Sequence, residues 1–153
     1  MLCNEDQSAY NEIFNSINIP LPDFEKFASY SKEKCTRTTL FENDDYELKL
    51  LCWEPGQQTP IHDHGGEECW VKFIKGSFYE TIYKILPDHP IEIINEVQPE
   101  EGQTTYMIDF FGFHRLKNNG EERGMSLHLY AKPVSVCQVY DEETKQILTR
   151  NYE

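Results

Sequence analysis

The chain has 153 residues, a length that suits one domain. Acidic residues outnumber Lys and Arg by 27 to 14, a formal charge of −13, which repels phosphate backbones and anionic lipid and argues against a nucleic-acid or membrane-surface role. Nine Phe, nine Tyr and two Trp supply core material, and a chain this long buries about two-thirds of its unfolded surface without staples, so wholesale disorder is excluded.

In chain order, Ser8 is placed to cap a helix running to about Ser16, with Tyr10, Ile13, Phe14 and Ile17 spaced for one face. Pro20 and Pro22 interrupt it, and Pro22 suits the first turn of a second short helix carrying Phe24, Phe27 and Tyr30. From Cys35 the pattern changes to short runs of β-formers. Strands are expected near 35–42, 46–53, 60–64, 68–75, 78–86, 91–97, 104–109, 113–117, 124–132, 134–140 and 145–150. Asn43-Asp44-Asp45, Lys75-Gly76-Ser77, Pro87-Asp88, Pro99-Glu100-Glu101-Gly102 and Asn118-Asn119-Gly120 separate them with turn chemistry. Many evenly spaced strands without intervening helices mean a sandwich or antiparallel barrel. One domain is expected over 1–153, with a helical cap over 1–33 and a β-barrel over 34–153.

The first 30 residues carry neither a basic n-region nor an apolar h-region, so a secretory signal is not expected. No run approaches the ~20 apolar residues of a membrane span. Five Cys, at positions 3, 35, 52, 69 and 137 without a CxxC pair, suggest neither a disulfide framework nor a structural zinc site. A reducing cytoplasm is the expected compartment.

Five histidines carry the chemical signal. In an extended segment residues i and i+2 share a face, so His62 and His64 can converge on one ion. A barrel can bring His114, about fifty residues later, alongside them. Three neutral imidazoles suit Fe, Zn, Cu or Ni; taken alone, the His-x-His pair reads more readily as two exposed or capping side chains. The setting adds to it. Gly56-x5-His62-x-His64, followed by Cys69-x6-Gly76, is similar to the first cupin motif, and His114 with Asn118 to the end of the second. The resemblance implies a mainly β cupin (double-stranded β-helix, jelly-roll) barrel with a metal inside and short N-terminal helices. Two departures are visible: Asp109-Phe110-Phe111-Gly112-Phe113 replaces the usual Pro-x-Gly, and the glutamate ligand of ordinary cupins falls at Cys69. Glu68 could supply a carboxylate if the strand shifted by one residue, but Glu68 and Cys69 cannot both face the metal in a regular strand.

Pro60-Ile61-His62-Asp63-His64, Cys69, Gly112-Phe113-His114-Arg115-Leu116-Lys117-Asn118 and Ser126-Leu127-His128-Leu129-Tyr130 occur in the order that resembles cysteine dioxygenase, over about Cys35 to Cys137. The resemblance implies Fe(II) on His62, His64 and His114, a thioether pair at Cys69 and Tyr130, and Arg37 as the group that holds the substrate carboxylate. It further implies L-cysteine and O2 as substrates, cysteine sulfinic acid as product, and a monomer. Many members have Tyr two residues before that Arg, where this chain has Cys35.

The residues fit that chemistry on their own terms. Three uncharged imidazoles leave the 2+ charge uncompensated, which favours an anionic thiolate partner. Arg37 can fix a carboxylate through a bidentate, charge-assisted pair. Ser126, His128 and Tyr130 alternate along one strand face, so a chain of hydrogen bonds can aim the phenol at the substrate or at oxygen. Leu127 and Leu129 face the other way. Cys137 reads either as a pocket neighbour or as packing, Trp53 and Trp70 as core, and His89 as an exposed turn residue; Cys3 has no assigned role. Two alternatives stay open. One is a 3-mercaptopropionate dioxygenase, although such enzymes tend to carry Gln where Arg37 stands. The other is a metal-binding cupin without turnover, its shell completed by Glu68.

Overall fold

A computed structural model describes residues 5–151, with side chains from residue 11 onward; Cys3 lies outside the described residues. Two helices, α1 (Glu5–Ser16) and α2 (Leu21–Glu25), precede the strands β1 (Thr36–Glu42), β2 (Glu47–Trp53), β3 (Ile61–His62), β4 (Glu68–Lys75), β5 (Phe78–Lys84) and β6 (Glu92–Val97). β7 (Thr104–Met107), a 3₁₀ turn (Asp109–Phe111), β8 (Phe113–Asn118), β9 (Gly124–Ala131), β10 (Val136–Asp141) and β11 (Gln146–Asn151) complete the order. Every expected strand is present. Pairing is antiparallel throughout, in a five-stranded sheet ordered β1-β2-β9-β4-β7 and a six-stranded sheet ordered β11-β10-β3-β8-β5-β6.

The periodicity of β2 explains how the layers stack. Its Leu-Leu-Cys-Trp run is buried on both faces, as a continuous apolar run requires. Leu51 and Trp53 point between the sheets and join Val71, Phe73, Phe78 and Leu116 in one core. Leu50 and Cys52 point outward and join Trp70, Met125 and Leu127 beneath Phe14 and Phe24 of the helices. Lys72 locks that outer layer: its ammonium donates to the carbonyls of Phe14 at 3.2 Å, Asn15 at 3.0 Å and Ile17. A cation there satisfies backbone oxygens that the end of α1 leaves orphaned.

The helices depart from expectation in detail. α1 already includes Glu5, so Ser8 lies inside it rather than at its cap. Ile13 is exposed although Phe14 is buried, because only one stripe of α1 meets the sheet; the side chain of Tyr10 lies outside the described residues. α2 ends at Glu25, leaving Phe27 and Tyr30 beyond it. β3 is only two residues long, which places His64 in the turn that follows rather than in a strand.

Candidate metal centre

β3 lies between β10 and β8, and His62 sits directly opposite both Val139 and His114. The following turn brings His64 to the same point. One ring nitrogen from each of His62, His64 and His114 lies within 4.8 Å of the others, and all three residues are buried. Nε2 of His64 is 3.1 Å from Nε2 of His114. The opposite nitrogens are committed outward: Nδ1 of His62 donates to the carbonyl of Pro60 at 2.8 Å, and Nδ1 of His114 to the carboxylate of Glu80 at 3.2 Å. Those bonds fix the tautomers of His62 and His114 with the Nε2 lone pair left free on each, the state a metal ligand needs. Burial, then the neighbouring histidines, push the pKa of His62 and His64 well below the ordinary value. The donor set is three imidazoles converging on one point, which fits a divalent transition metal.

The strand register decides between Glu68 and Cys69. Cys69 pairs with Tyr130 across β4 and β9 and is fully buried. Glu68 points to the opposite face, where its carboxylate accepts a hydrogen bond from the Tyr106 hydroxyl at 2.7 Å. The three imidazoles thus converge without Glu68.

Ser126, His128 and Tyr130 lie on the inner face of β9, and Trp53 extends their chain. The Trp53 indole N–H donates to Ser126 Oγ at 2.9 Å. An indole N–H can only donate, which leaves the Ser126 hydroxyl hydrogen available to His128 Nε2 at 2.8 Å when that nitrogen carries no proton. His128 Nδ1–H is then left to face the Tyr130 hydroxyl at 3.4 Å. This polarity requires an uncharged imidazole. Burial, then the charge of Arg37, hold the His128 pKa well down. Tyr130 accepts at its oxygen and hydrogen-bonds Cys69, whose thiol is pushed well up, mainly by burial. The ring of His64 lies 5.9 Å from that of Tyr130, so the network meets the histidine cluster.

Arg37 sits opposite Leu51 in the β1–β2 pair. It lines a cavity of about 530 Å³ together with Cys35, Pro60, His62, Cys137 and Val139. The cavity thus reaches the cluster at His62 and brings Lys34, Arg37 and Arg150 to its wall, although the chain as a whole is strongly acidic. Burial raises the Cys35 thiol pKa, opposed by the charge and hydrogen bond of Arg37. His89 is exposed in its turn, while Trp53 and Trp70 are buried.

Two contributors escape the sequence reading. Glu80 is buried and holds His114; the signal was its alternation with Phe78 and Ile82 along β5. Trp53 reads as core, and is, but its N–H also starts the Ser126 chain.

The neutral histidines give a pH dependence. In the metal-free protein, His62, His64 and His128 have folded pKa values below their unfolded ones. Below about pH 6.5 the unfolded chain therefore binds more protons, and stability falls as pH falls, by up to ~1.4 kcal/mol per histidine per pH unit. Urea unfolding of chelator-treated protein at successive pH values should show the midpoint dropping below the ordinary histidine range. A flat profile would contradict neutral burial.

The family model described as Cysteine dioxygenase type I matches residues 6–143. The chain is 33% identical over 130 residues to cysteine dioxygenase type 1 of Danio rerio, covering 80% of this chain and 63% of that protein. It is 31% identical over 122 residues to the Rattus norvegicus protein of the same name, covering 77% and 61%. The chain thus spans little more than three-fifths of the length of these relatives. Among solved structures, a Klebsiella pneumoniae protein with a double-stranded β-helix domain aligns with TM-score 0.59 at 16% identity, covering 75% of this chain and 91% of that one. A Thermus thermophilus protein aligns with TM-score 0.56 at 20% identity, covering 76% and 100%. These likenesses establish the double-stranded β-helix fold. No described helix is long and apolar enough to cross a membrane. With the family match running from α1 through β10 and taking in the whole histidine cluster, the chain belongs to the cysteine dioxygenase type I family.

Proposed function

We propose that the chain is an iron-dependent thiol dioxygenase that converts L-cysteine and O2 to cysteine sulfinic acid. The observation that carries this reading is one cavity lined both by Arg37 and by His62, a member of the three-imidazole cluster. Both oxygen atoms end on the substrate sulfur, which loses four electrons as O2 gains four. Fe(II) held by His62, His64 and His114 would supply the redox chemistry and favour the deprotonated thiol.

The chain's own residues position and polarise. Arg37 pairs with the substrate carboxylate, setting the distance between that end of cysteine and the histidines. Burial of the histidine cluster excludes water and strengthens every charge interaction there. The chain Trp53–Ser126–His128 holds the Tyr130 phenol in one orientation, able to donate toward the substrate or oxygen. The cross-strand pairing of Cys69 with Tyr130 supports the thioether that the family pattern implies, formed as the thiol and the phenol ring each lose a hydrogen to O2. The outward direction of Glu68 counts against a fourth protein ligand and a purely metal-binding role.

Oxygen uptake by the Fe(II)-loaded protein on adding L-cysteine, with sulfinate appearing mole for mole, tests the reading; no uptake would overturn it. The Arg37→Ala variant should raise KM and lower kcat/KM for L-cysteine by about tenfold or more, as loss of a charged hydrogen bond predicts. Cysteamine, which lacks the carboxylate, should be almost indifferent to the same change. Unaltered cysteine kinetics would remove Arg37 from substrate binding, and preferential oxidation of 3-mercaptopropionate would reassign the substrate.

A further inference from the structure

The turn that delivers His64 has no regular secondary structure to hold it, yet each backbone N–H from residue 63 to 67 has a partner. Asp63 N–H donates to the Gln138 carbonyl at 3.0 Å, and Glu67 N–H to the His64 carbonyl at 3.1 Å. Gly65 N–H donates to the Asp63 carboxylate at 3.1 Å, and the same oxygen accepts from Gln138 N–H at 2.7 Å. The remaining two go to one distant residue: His64 N–H donates to Oδ1 of Asp109 at 2.8 Å, and Gly66 N–H to Oδ2. The turn also lies hard against β10. Gly65 has φ +62°, and a Cβ there would stand 2.2 Å from the Val136 carbonyl oxygen.

Asp109 is itself rigidly placed. It opens the 3₁₀ turn that ends at Gly112, whose N–H donates back to the Asp109 carbonyl at 3.0 Å. Gly112 has φ +122° and packs so close to β5 that a Cβ would stand 2.3 Å from the Tyr83 carbonyl oxygen. His114 follows two residues later. The segment carrying one histidine therefore grips the backbone of another.

We infer that Asp109 is a positioning residue for the metal centre, its two carboxylate oxygens holding the His64–Gly66 backbone so that the His64 ring meets His62 and His114. A carboxylate suits the task because both oxygens accept, whereas Asn offers one acceptor and Ala none. This inference rests on the proposed metal centre, and its test needs no turnover. Affinity for Fe(II) and for Co(II) is measured by anaerobic chelator competition, with circular dichroism as the control for folding.

Asp109→Ala should weaken metal binding by about 10–100-fold, the usual consequence of losing a group that orients a ligand, and Asp109→Asn by less. The decisive arm is the His64→Ala background. There, Asp109→Ala should change the remaining affinity little, because the ligand it places is gone; a merely structural role would give the same loss in both backgrounds. Equal losses, or a folded Asp109→Ala protein that binds both metals as tightly as the parent, would overturn the inference alone. A parent protein that binds neither metal would overturn the metal centre with it. Should the alanine variant fail to fold, Asp109→Asn decides by the same comparison.

Discussion

Replacing His114 with alanine is expected to leave a folded protein that retains almost no iron and consumes no measurable oxygen with cysteine. The expectation follows from its central place. His114 faces His62 across β3 and β8, its Nε2 lies 3.1 Å from that of His64, and its other nitrogen is tied to buried Glu80. Deleting the ring removes one of three imidazole donors and leaves the Glu80 carboxylate without its buried partner. Two imidazoles in a site built for three should lose more than the ~10–100-fold in affinity expected when only a ligand-orienting group is removed. Iron content after desalting and oxygen uptake on adding cysteine check this directly. An alanine variant that retained one tightly held iron per chain would show that the ion lies elsewhere.

The strands were legible because two-residue periodicity and turn chemistry are local properties. Runs such as Glu68–Lys75 and Gly124–Ala131 appear where the apolar spacing and the following turns put them. What a single strand does not disclose is its partner. Motif spacing points to Cys69 and a one-residue shift to Glu68, and only the pairing of Cys69 with Tyr130 sets the inward face. Convergence of His62 and His64 was readable, but the reason was not: β3 ends at His62, and His64 arrives through a turn held by carboxylates rather than by strand alternation. Glu80 shares a face with Phe78 and Ile82 in Phe-Tyr-Glu-Thr-Ile-Tyr, but its partner is unknown until β5 is paired with β8, which places it beside Leu116 and one step along the face from His114. Its meaning depends on a contact 34 residues away in sequence. Arg37 was singled out by resemblance rather than by pattern, since an arginine between threonines also reads as surface; the register sets it across from inward-facing Leu51, on the inner face of β1.

Lys49→Met alone should destabilise the protein severely, because it strands a charge inside the barrel. Glu47 and Lys49 form an ion pair at 2.6 Å with side chains only 6% and 10% exposed. Register puts Glu47 opposite Tyr130 and Lys49 opposite His128, so the pair lies on the inner face of β2 beside the phenol–imidazole chain. Breaking a buried pair by removing one partner costs about 3–5 kcal/mol, whereas replacing both with uncharged groups of similar volume often costs little. Against a total stability of about 5–15 kcal/mol for a domain, the single change removes a large share. Urea unfolding of Lys49→Met, Glu47→Gln and the double variant forms a complete cycle, in which the double should be more stable than Lys49→Met alone. The charge of Lys49 also helps keep His128 unprotonated, so its loss should raise the His128 pKa and bring the protonated ring closer to neutral pH. Protonation would fill the nitrogen that accepts from Ser126 and turn that bond round, so that Ser126 Oγ accepts from both Trp53 and His128 while Nδ1–H goes on facing Tyr130. A double variant that regains stability but loses turnover at mildly acidic pH would separate the two roles of the pair, and single variants as stable as the parent would show that it contributes neither.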